Sequence, residues 1–169
     1  MKFHQIFRAS LHEPRKLAAF RLLSIGKVFS YVFVFVTFFT LISFLRFSGN
    51  DVTLFADSPE LKQHGETIGW LIYPIAFLMQ LVISTFYIFI RITLFAYAGT
   101  IILKAMKRRG EFLHIWRTSA IALTVPLLLT IAFDYFPIMN TYNLTTLITS
   151  AVHITYIVLA AKYYPKQPQ

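Results

Sequence analysis

The 169-residue chain contains no cysteine and only seven acidic residues. The lack of cysteine excludes disulfides and thiol catalysis, and it leaves the redox compartment undetermined. No pair of carboxylates falls inside the long apolar runs, so acid–base or aspartyl-protease chemistry within a membrane is not expected. The HExxH, GxSxG, P-loop and GxGxxG motifs are also absent. We therefore expect a protein that is not an enzyme and that carries neither a cofactor nor a metal.

Apolar residues are abundant. Hydrophobic residues make up 57% of the chain, with 18 phenylalanines and 9 tyrosines, and the mean hydropathy is +0.63. This is too apolar for a soluble domain of one folding unit. The sequence predicts an all-α integral membrane protein with four transmembrane helices, at about 28–47, 70–103, 115–133 and 144–161. An N-terminal amphipathic segment, residues 1–27, precedes the membrane domain of residues 28–169.

The second span is unusually long. A helix over residues 70–103 would measure ~50 Å at ~1.5 Å per residue, against a hydrocarbon core of ~30 Å. It must therefore tilt, kink near Pro74 or Gly99, or protrude. Two shorter spans fit less well, because only twelve residues lie between Arg91 and Lys104.

The charges indicate an orientation. Thirteen of the sixteen lysines and arginines fall in residues 1–27, 104–117 and 162–166. The polar loop 48–69 has the opposite balance, with Asp51, Asp57, Glu60 and Glu66 against Lys62. The positive-inside rule then places both termini in the cytoplasm and this loop outside, with a short helix starting near Pro59. The basic segments are expected to face anionic lipid rather than nucleic acid.

The N-terminal segment alternates basic and apolar residues. The pattern predicts two short helices, broken at His12-Glu13-Pro14, that lie flat on the membrane with the apolar face in lipid. A docking arm for a partner protein is the alternative. The candidate contact residues are basic; they are Arg8, Arg15, Lys16, Arg21, Lys27, Lys104, Lys107, Arg108 and Arg109. Four aromatic residues, Tyr31, Trp116, Tyr163 and Tyr164, are predicted to lie at the inner interface.

Polar residues within the spans are the other candidates for function. Arg91 reaches the inner interface if its span starts near Trp70, and lies near mid-membrane if residues 70–79 are outside it. His153 falls near the middle of the fourth span. Gln80, Thr124 and Thr149 extend a possible polar seam, and Pro126 marks a kink. These groups either hold the helices together or line a path for protons or a solute.

Glu111 and His114 have the Glu-x-x-His spacing of di-iron bundles. Such sites need a second motif of this kind and two further carboxylates, which the spans lack. A solvated pair at the interface is the preferred interpretation.

Two stretches carry a family resemblance. Phe7-Arg8-x-Ser10-Leu11-x-x-Pro14, continuing through Ile25-Gly26-Lys27, and the run FLHIWRTSAIALTVPLL at 112–128 resemble the domain-of-unknown-function 1189 family of Gram-positive membrane proteins. Ile121-Ala122 departs from the Tyr-Ala pair usual there. The resemblance implies a four-span protein of the bacterial cytoplasmic membrane; some members are labelled maltodextrin-utilisation proteins, and no activity is implied. A looser similarity is to Yip1-type membrane adaptors.

Two functions remain as predictions. The first is a non-enzymatic accessory or adaptor protein that binds another membrane protein or organises anionic lipid. The second is an oligomeric transporter or channel for a small solute or protons that uses Arg91 and His153. Four spans rarely enclose a path alone, so the second requires a homo-oligomer.

Overall fold

The structure, a computed structural model, describes residues 3–54, 59–136, 138 and 143–167. Side chains are described for these residues except those within 47–72. Apart from one isolated bridge between Arg108 and Lys166, the secondary structure of these residues is helical. The helices are α1 Phe3–His12, α2 Pro14–Ala19, a 3-10 helix Phe20–Leu22, α3 Ile25–Leu54, α4 Pro59–Ala105, α5 Phe112–Ala122, α6 Thr124–Phe133 and α7 Leu144–Ala161. The all-α class predicted from the sequence is confirmed.

Four stretches are long and apolar enough to cross a membrane. They are Ile25–Arg46, Tyr73–Ala105, Phe112–Phe133 and Leu144–Ala161. The predicted spans differ from these by at most three residues at either end. The chain is thus a multi-pass membrane protein, and the third crossing is built from two helices, α5 and α6.

The long second span is a single helix, with Pro74 inside it. The prediction of a polar loop over residues 48–69 is corrected: α3 continues to Leu54 and α4 begins at Pro59, so most of this segment is helical. Proline suits a first turn, and the isolated glycines Gly65 and Gly69 do not end a helix. Asp57 lies outside the described residues, as do the side chains of Asp51, Glu60 and Glu66.

The chain divides into two compact units, residues 1–33 with 89–169, and residues 34–88. In the second unit, α3 and α4 pack through aromatic edges. The ring of Phe44 stands nearly perpendicular to the rings of Tyr73 and Phe77, with centroids 6.4 and 5.3 Å apart. Val36 and Ile88 are buried there. Gln80 is half-buried in this unit.

The first unit is built around α5, whose side chains from Thr118 to Ala122 are all buried. Close packing with α4 depends on Gly99. A β-carbon at this position would lie 2.7 Å from Ile115 Cγ1 and 3.0 Å from Ile157 Cγ2. Glycine therefore lets α4 approach side chains of both α5 and α7.

The N-terminal helices belong to this first unit. The predicted break is confirmed, since α1 ends at His12 and Pro14 occupies the first turn of α2. Their predicted position flat on the membrane stays a prediction, and the structure adds contacts with the protein itself. Leu17, Ala18 and Phe20 are buried, and α2 and the 3-10 helix pack on α5, with α2 also packing on α7. Much of the apolar face that was predicted to enter lipid is covered by the protein's own helices.

A proline separates α5 from α6. Pro126 is buried in the first turn of α6 and has no N–H to donate to the carbonyl of Ala122. Regular bonding resumes where Leu127 N donates to Leu123 O at 2.9 Å. The kink predicted from Thr124-Val125-Pro126 is therefore present, packed inside the first unit.

Candidate functional site

A buried polar cluster joins α4, α5 and α7 in the first unit. Arg91 and Phe95 are four residues apart on α4, and Thr149 and His153 are four apart on α7, so each pair shares one helix face. Arg91 Nη2 donates to Thr149 Oγ1 at 3.0 Å. The Phe95 ring stacks on His153 with centroids 4.4 Å apart, and Arg91 Cζ lies 5.7 Å from the Phe95 centroid. Arg91 is therefore inside the bundle, while its depth in the membrane stays a prediction.

Ser119 on α5 fixes the orientation of the His153 ring. His153 Nε2 lies 3.2 Å from Ser119 Oγ and 3.1 Å from Ser119 O. The Ser119 hydroxyl donates its only proton to Ile92 O at 3.1 Å, and a carbonyl can only accept. Nε2 therefore carries a proton. Because the ring is fully buried, the neutral form with a bare Nδ1 is favoured over the cation. Among the described residues, Nδ1 is buried with no hydrogen-bond partner.

The cluster combines one cation with neutral groups. Arg91 is 8% exposed and His153 is fully buried. Hydroxyl, imidazole and ring contacts of this kind hold helices together where water is scarce.

The remaining intramembrane candidates lie elsewhere. Thr124 belongs to a second chain of contacts, in which its Oγ1 donates to Ile121 O at 2.7 Å and lies 2.8 Å from the Tyr31 hydroxyl. The Tyr31 hydroxyl is also 3.3 Å from Ser10 Oγ. This chain ties the N-terminal helices to α3 and α6. Tyr31, predicted to lie at the interface, is instead buried.

Glu111 and His114 serve as a helix cap. The backbone N–H of Glu111 donates to His114 Nδ1 at 3.3 Å, as in a capping box at the start of α5. Across the part of the chain that the structure describes, no three histidine or acidic side chains form a group able to hold a metal.

The basic candidates converge on the C-terminal tail, residues 162–167. The guanidinium of Arg15 lies 5.7 Å from the Tyr163 ring centroid. Arg109 N donates to Pro165 O at 2.7 Å, and Gln167 N donates to Lys107 O at 3.0 Å. We call the surface formed by α2, the turn 104–110 and this tail the basic end. Its exposed cations are Arg15, Lys16, Lys104, Lys107, Arg109, Lys162 and Lys166.

Acidic side chains are scarce at the basic end. Glu13 forms an ion pair with Lys16 at 2.8 Å, and the hydrogen bond from Lys16 lowers the pKa of Glu13. Arg8 and Lys27 are exposed too, but no described contact ties either side chain to the tail.

Lys107 ends α4 in an unusual conformation. Lys107 N bonds to Lys104 O at 3.0 Å and Arg108 N bonds to Leu103 O at 2.8 Å, which is the Schellman pattern. Lys107 takes the position usually held by glycine, with φ of 52°. A lysine there carries a local strain that glycine would avoid.

Tyr164 lies at the centre of the basic end. Its hydroxyl is 2.7 Å from Thr118 Oγ1 and donates to His114 O at 3.2 Å. Arg21 Cζ lies 4.9 Å from the ring centroid, and Arg108 Nη1 donates to Tyr164 O at 2.8 Å. Burial raises the pKa of Tyr164 to about 12. The residue was predicted to lie at the inner interface, and its side chain is 1% exposed because its own protein covers it.

Sequence analysis did not identify three residues of these clusters. Ser119, Phe95 and Thr118 are ordinary in apolar helices, and nothing in their local pattern distinguishes them. One usable signal was present: the four-residue spacing of Arg91 to Phe95 and of Thr149 to His153 predicts matching helix faces.

Comparison with known families supplies the classification. Residues 50–161 match the family described as protein of unknown function, DUF1189. The chain belongs to this family. The match includes the run 112–128, whereas the quoted N-terminal pattern precedes it. Neither the curated proteins nor the solved structures contain a match. The DUF1189 description assigns no activity.

Proposed function

We propose that this DUF1189 protein is a non-enzymatic accessory protein of the bacterial cytoplasmic membrane that binds another membrane protein through its basic end. The observation that carries the proposal is the gathering of exposed cations from α2, the turn 104–110 and the tail onto one surface. Both ends of the chain and the basic turn face the cytoplasm in this proposal, as the positive-inside rule requires.

The fixed geometry of this surface favours a protein partner. Diffuse attraction to anionic lipid needs no particular arrangement of charges, and flexible tails supply it equally well. Here the turn and the tail are joined by the backbone bonds of Arg109 to Pro165 and of Gln167 to Lys107. A preorganised charge pattern loses less entropy on binding and discriminates between partners.

The conformation of Lys107 adds support. Glycine at this position would relieve a positive φ at no steric cost. A lysine in this strained conformation indicates that its side chain makes a functional contact. Lys107 is exposed and lies in the middle of the turn.

Affinity purification from the native membrane tests the proposal. The tagged wild-type chain is extracted in mild detergent, and the composition and mass of the complex are read by mass spectrometry and light scattering. A second membrane protein in stoichiometric amount is expected. Charge reversal at Lys104 and Arg109 should release it, whereas the matched reversal at Arg8 and Lys27 should not. Purification of a homo-oligomer without any partner would refute the proposed adaptor role.

Transport is the second candidate, favoured by the buried Arg91 and the bare Nδ1 of His153. A membrane-buried cation is costly and frequently functional. In an oligomer these groups would contact the passing proton or solute. The diagnostic result is a loss of the cellular phenotype in Arg91→Gln and His153→Phe at normal protein levels, with the basic-end variants remaining active.

A further inference from the structure

Three arginines are linked near Tyr164: Arg21 and Arg108 contact Tyr164 itself, and Arg117 contacts Arg21. The described partners of each are neutral acceptors or a ring. Arg108 Nη1 donates to Tyr164 O at 2.8 Å, and Arg117 Nη1 donates to Arg21 O at 2.9 Å. The guanidinium of Arg21 lies over the Tyr164 ring. All three side chains are half-buried, which distinguishes them from the exposed cations of the basic end.

The charge of this group is not balanced within the described part of the chain. A guanidinium has five N–H donors and takes a carboxylate or phosphate through two of them. None of the three forms an ion pair with a described carboxylate. Arg117 Nε is also buried without a described hydrogen-bond partner. Three neighbouring cations repel one another, and an anion between them would relieve that repulsion.

The group is positioned at the ends of apolar helices. α4 ends at Ala105, α7 ends at Ala161, and α5 begins at Phe112, so Arg108 and Tyr164 follow their spans by three residues each. When such spans cross a bilayer, their ends meet the headgroup layer, where lipid phosphates lie. A free phosphate has no reason to concentrate at this level.

We propose that Arg21, Arg108 and Arg117 form a binding site for the phosphate of an anionic lipid headgroup, with the Tyr164 ring supporting Arg21. Arg108 and Arg117 each keep one nitrogen on a backbone carbonyl, which fixes the plane of the guanidinium before the lipid arrives. The remaining N–H groups then bind phosphate oxygens in pairs. This site uses half-buried arginines, whereas the proposed partner surface uses the exposed cations of the basic end.

Native mass spectrometry of the full-length protein in a neutral detergent tests the site. Phosphatidylglycerol, phosphatidylcholine and inorganic phosphate are titrated separately. Phosphatidylglycerol should bind at least about tenfold more tightly than phosphatidylcholine, because only the former carries net negative charge. Arg21→Gln and Arg117→Gln should each weaken phosphatidylglycerol binding by about 10-fold, the usual range for a charged hydrogen bond. Arg21→Lys, which keeps the charge and is the variant more certain to fold, should weaken it less than Arg21→Gln.

Lys104→Gln and Lys107→Gln provide the matched control. Each removes one positive charge from the exposed part of the basic end, and binding should change by less than about twofold, as expected for exposed charges. Equal losses in the lysine and arginine variants would mean diffuse attraction and would overturn the site. Inorganic phosphate that binds with the same arginine dependence, and that displaces the lipid, would overturn the lipid assignment. Partner capture that persists in Arg21→Lys while lipid binding falls would separate this inference from the proposed function.

Discussion

Arg91 donates a hydrogen bond to Thr149 across 3.0 Å, and this contact joins the long helix α4 to the last helix α7. The same two helix faces also bring Phe95 onto His153. A cation deep in a membrane protein is tolerated only where such neighbours replace water. The contact therefore has a measurable effect on stability.

Thr149→Val should destabilise the protein. The change keeps the shape of the side chain but leaves the buried guanidinium without this acceptor, and a hydrogen bond to a charged group contributes about 1.5–3 kcal/mol. The expected result is a lower melting temperature in detergent, read from tryptophan fluorescence. Thr155→Val is the control, because the exposed Thr155 hydroxyl bonds only to Ala151 O of its own helix. Equal melting temperatures for the two variants would contradict the prediction.

Gly99→Ala should also destabilise the protein. The added methyl group would lie 2.7 Å from a side-chain carbon of Ile115, and overpacking of this kind costs about 1–3 kcal/mol. Gly26 provides the comparison, since a β-carbon there meets nothing within 4 Å. Gly26→Ala should melt at or slightly above the wild-type temperature. The prediction would be wrong if Gly99→Ala melted at the same temperature as Gly26→Ala.

Lys107→Gly should be more stable than Lys107→Ala. Both variants remove the charge, but only glycine adopts a φ of 52° without strain. The difference should be about 1 kcal/mol in favour of glycine. Melting of the two purified variants side by side measures it. An alanine variant as stable as the glycine variant would mean that the α4 terminus relaxes to a negative φ.

Tyr164 predicts a stability change at high pH. Its pKa is about 12 in the folded protein, against about 10 for an ordinary tyrosine. Below pH 10 both states keep the proton, and this group adds no pH dependence. Between pH 10 and 12 the unfolded chain loses the proton that the folded chain retains, so stability falls as pH rises.

The measurement compares melting temperatures from pH 8 to 11.5. The advantage of the wild type over Tyr164→Phe should shrink across this range by about 2 kcal/mol, since about 1.5 pH units of it lie above the unfolded pKa and each unit corresponds to ~1.4 kcal/mol. Tyr163→Phe, which removes a neighbouring exposed hydroxyl, should follow the wild type. A difference in melting temperature between the wild type and Tyr164→Phe that stays constant with pH would contradict the raised pKa of Tyr164.

The sequence predicted the elements of this fold well and its burial poorly. Four apolar runs and a proline at position 126 act locally, so spans and a helix break could be inferred from them. Leu17 and Phe20 show why burial could not be inferred. Lipid and a protein interior are equally apolar, so a periodic apolar face does not say which of them covers it. Leu17 and Phe20 were therefore predicted to enter lipid, whereas they are buried in helices that pack on α5.

The candidate site shows the same division. Arg91 and His153 stand out by composition, because charged and imidazole groups are rare in apolar runs. Their partners Thr149 and Ser119 become significant only when helices distant in sequence meet. Tyr164 looked like an interfacial residue for the same reason, and its contacts with Arg21 and Thr118 depend on tertiary packing.

The attachment of the tail also constrains the order of assembly. Lys107 receives its bond from Gln167, and α2 packs on α5 and α7, which are synthesised more than ninety residues after it. The basic end is therefore absent from a nascent chain until α7 and residue 167 have left the ribosome. Until α5 and α7 are made, Leu17 and Phe20 lack the helices on which α2 and the 3-10 helix pack.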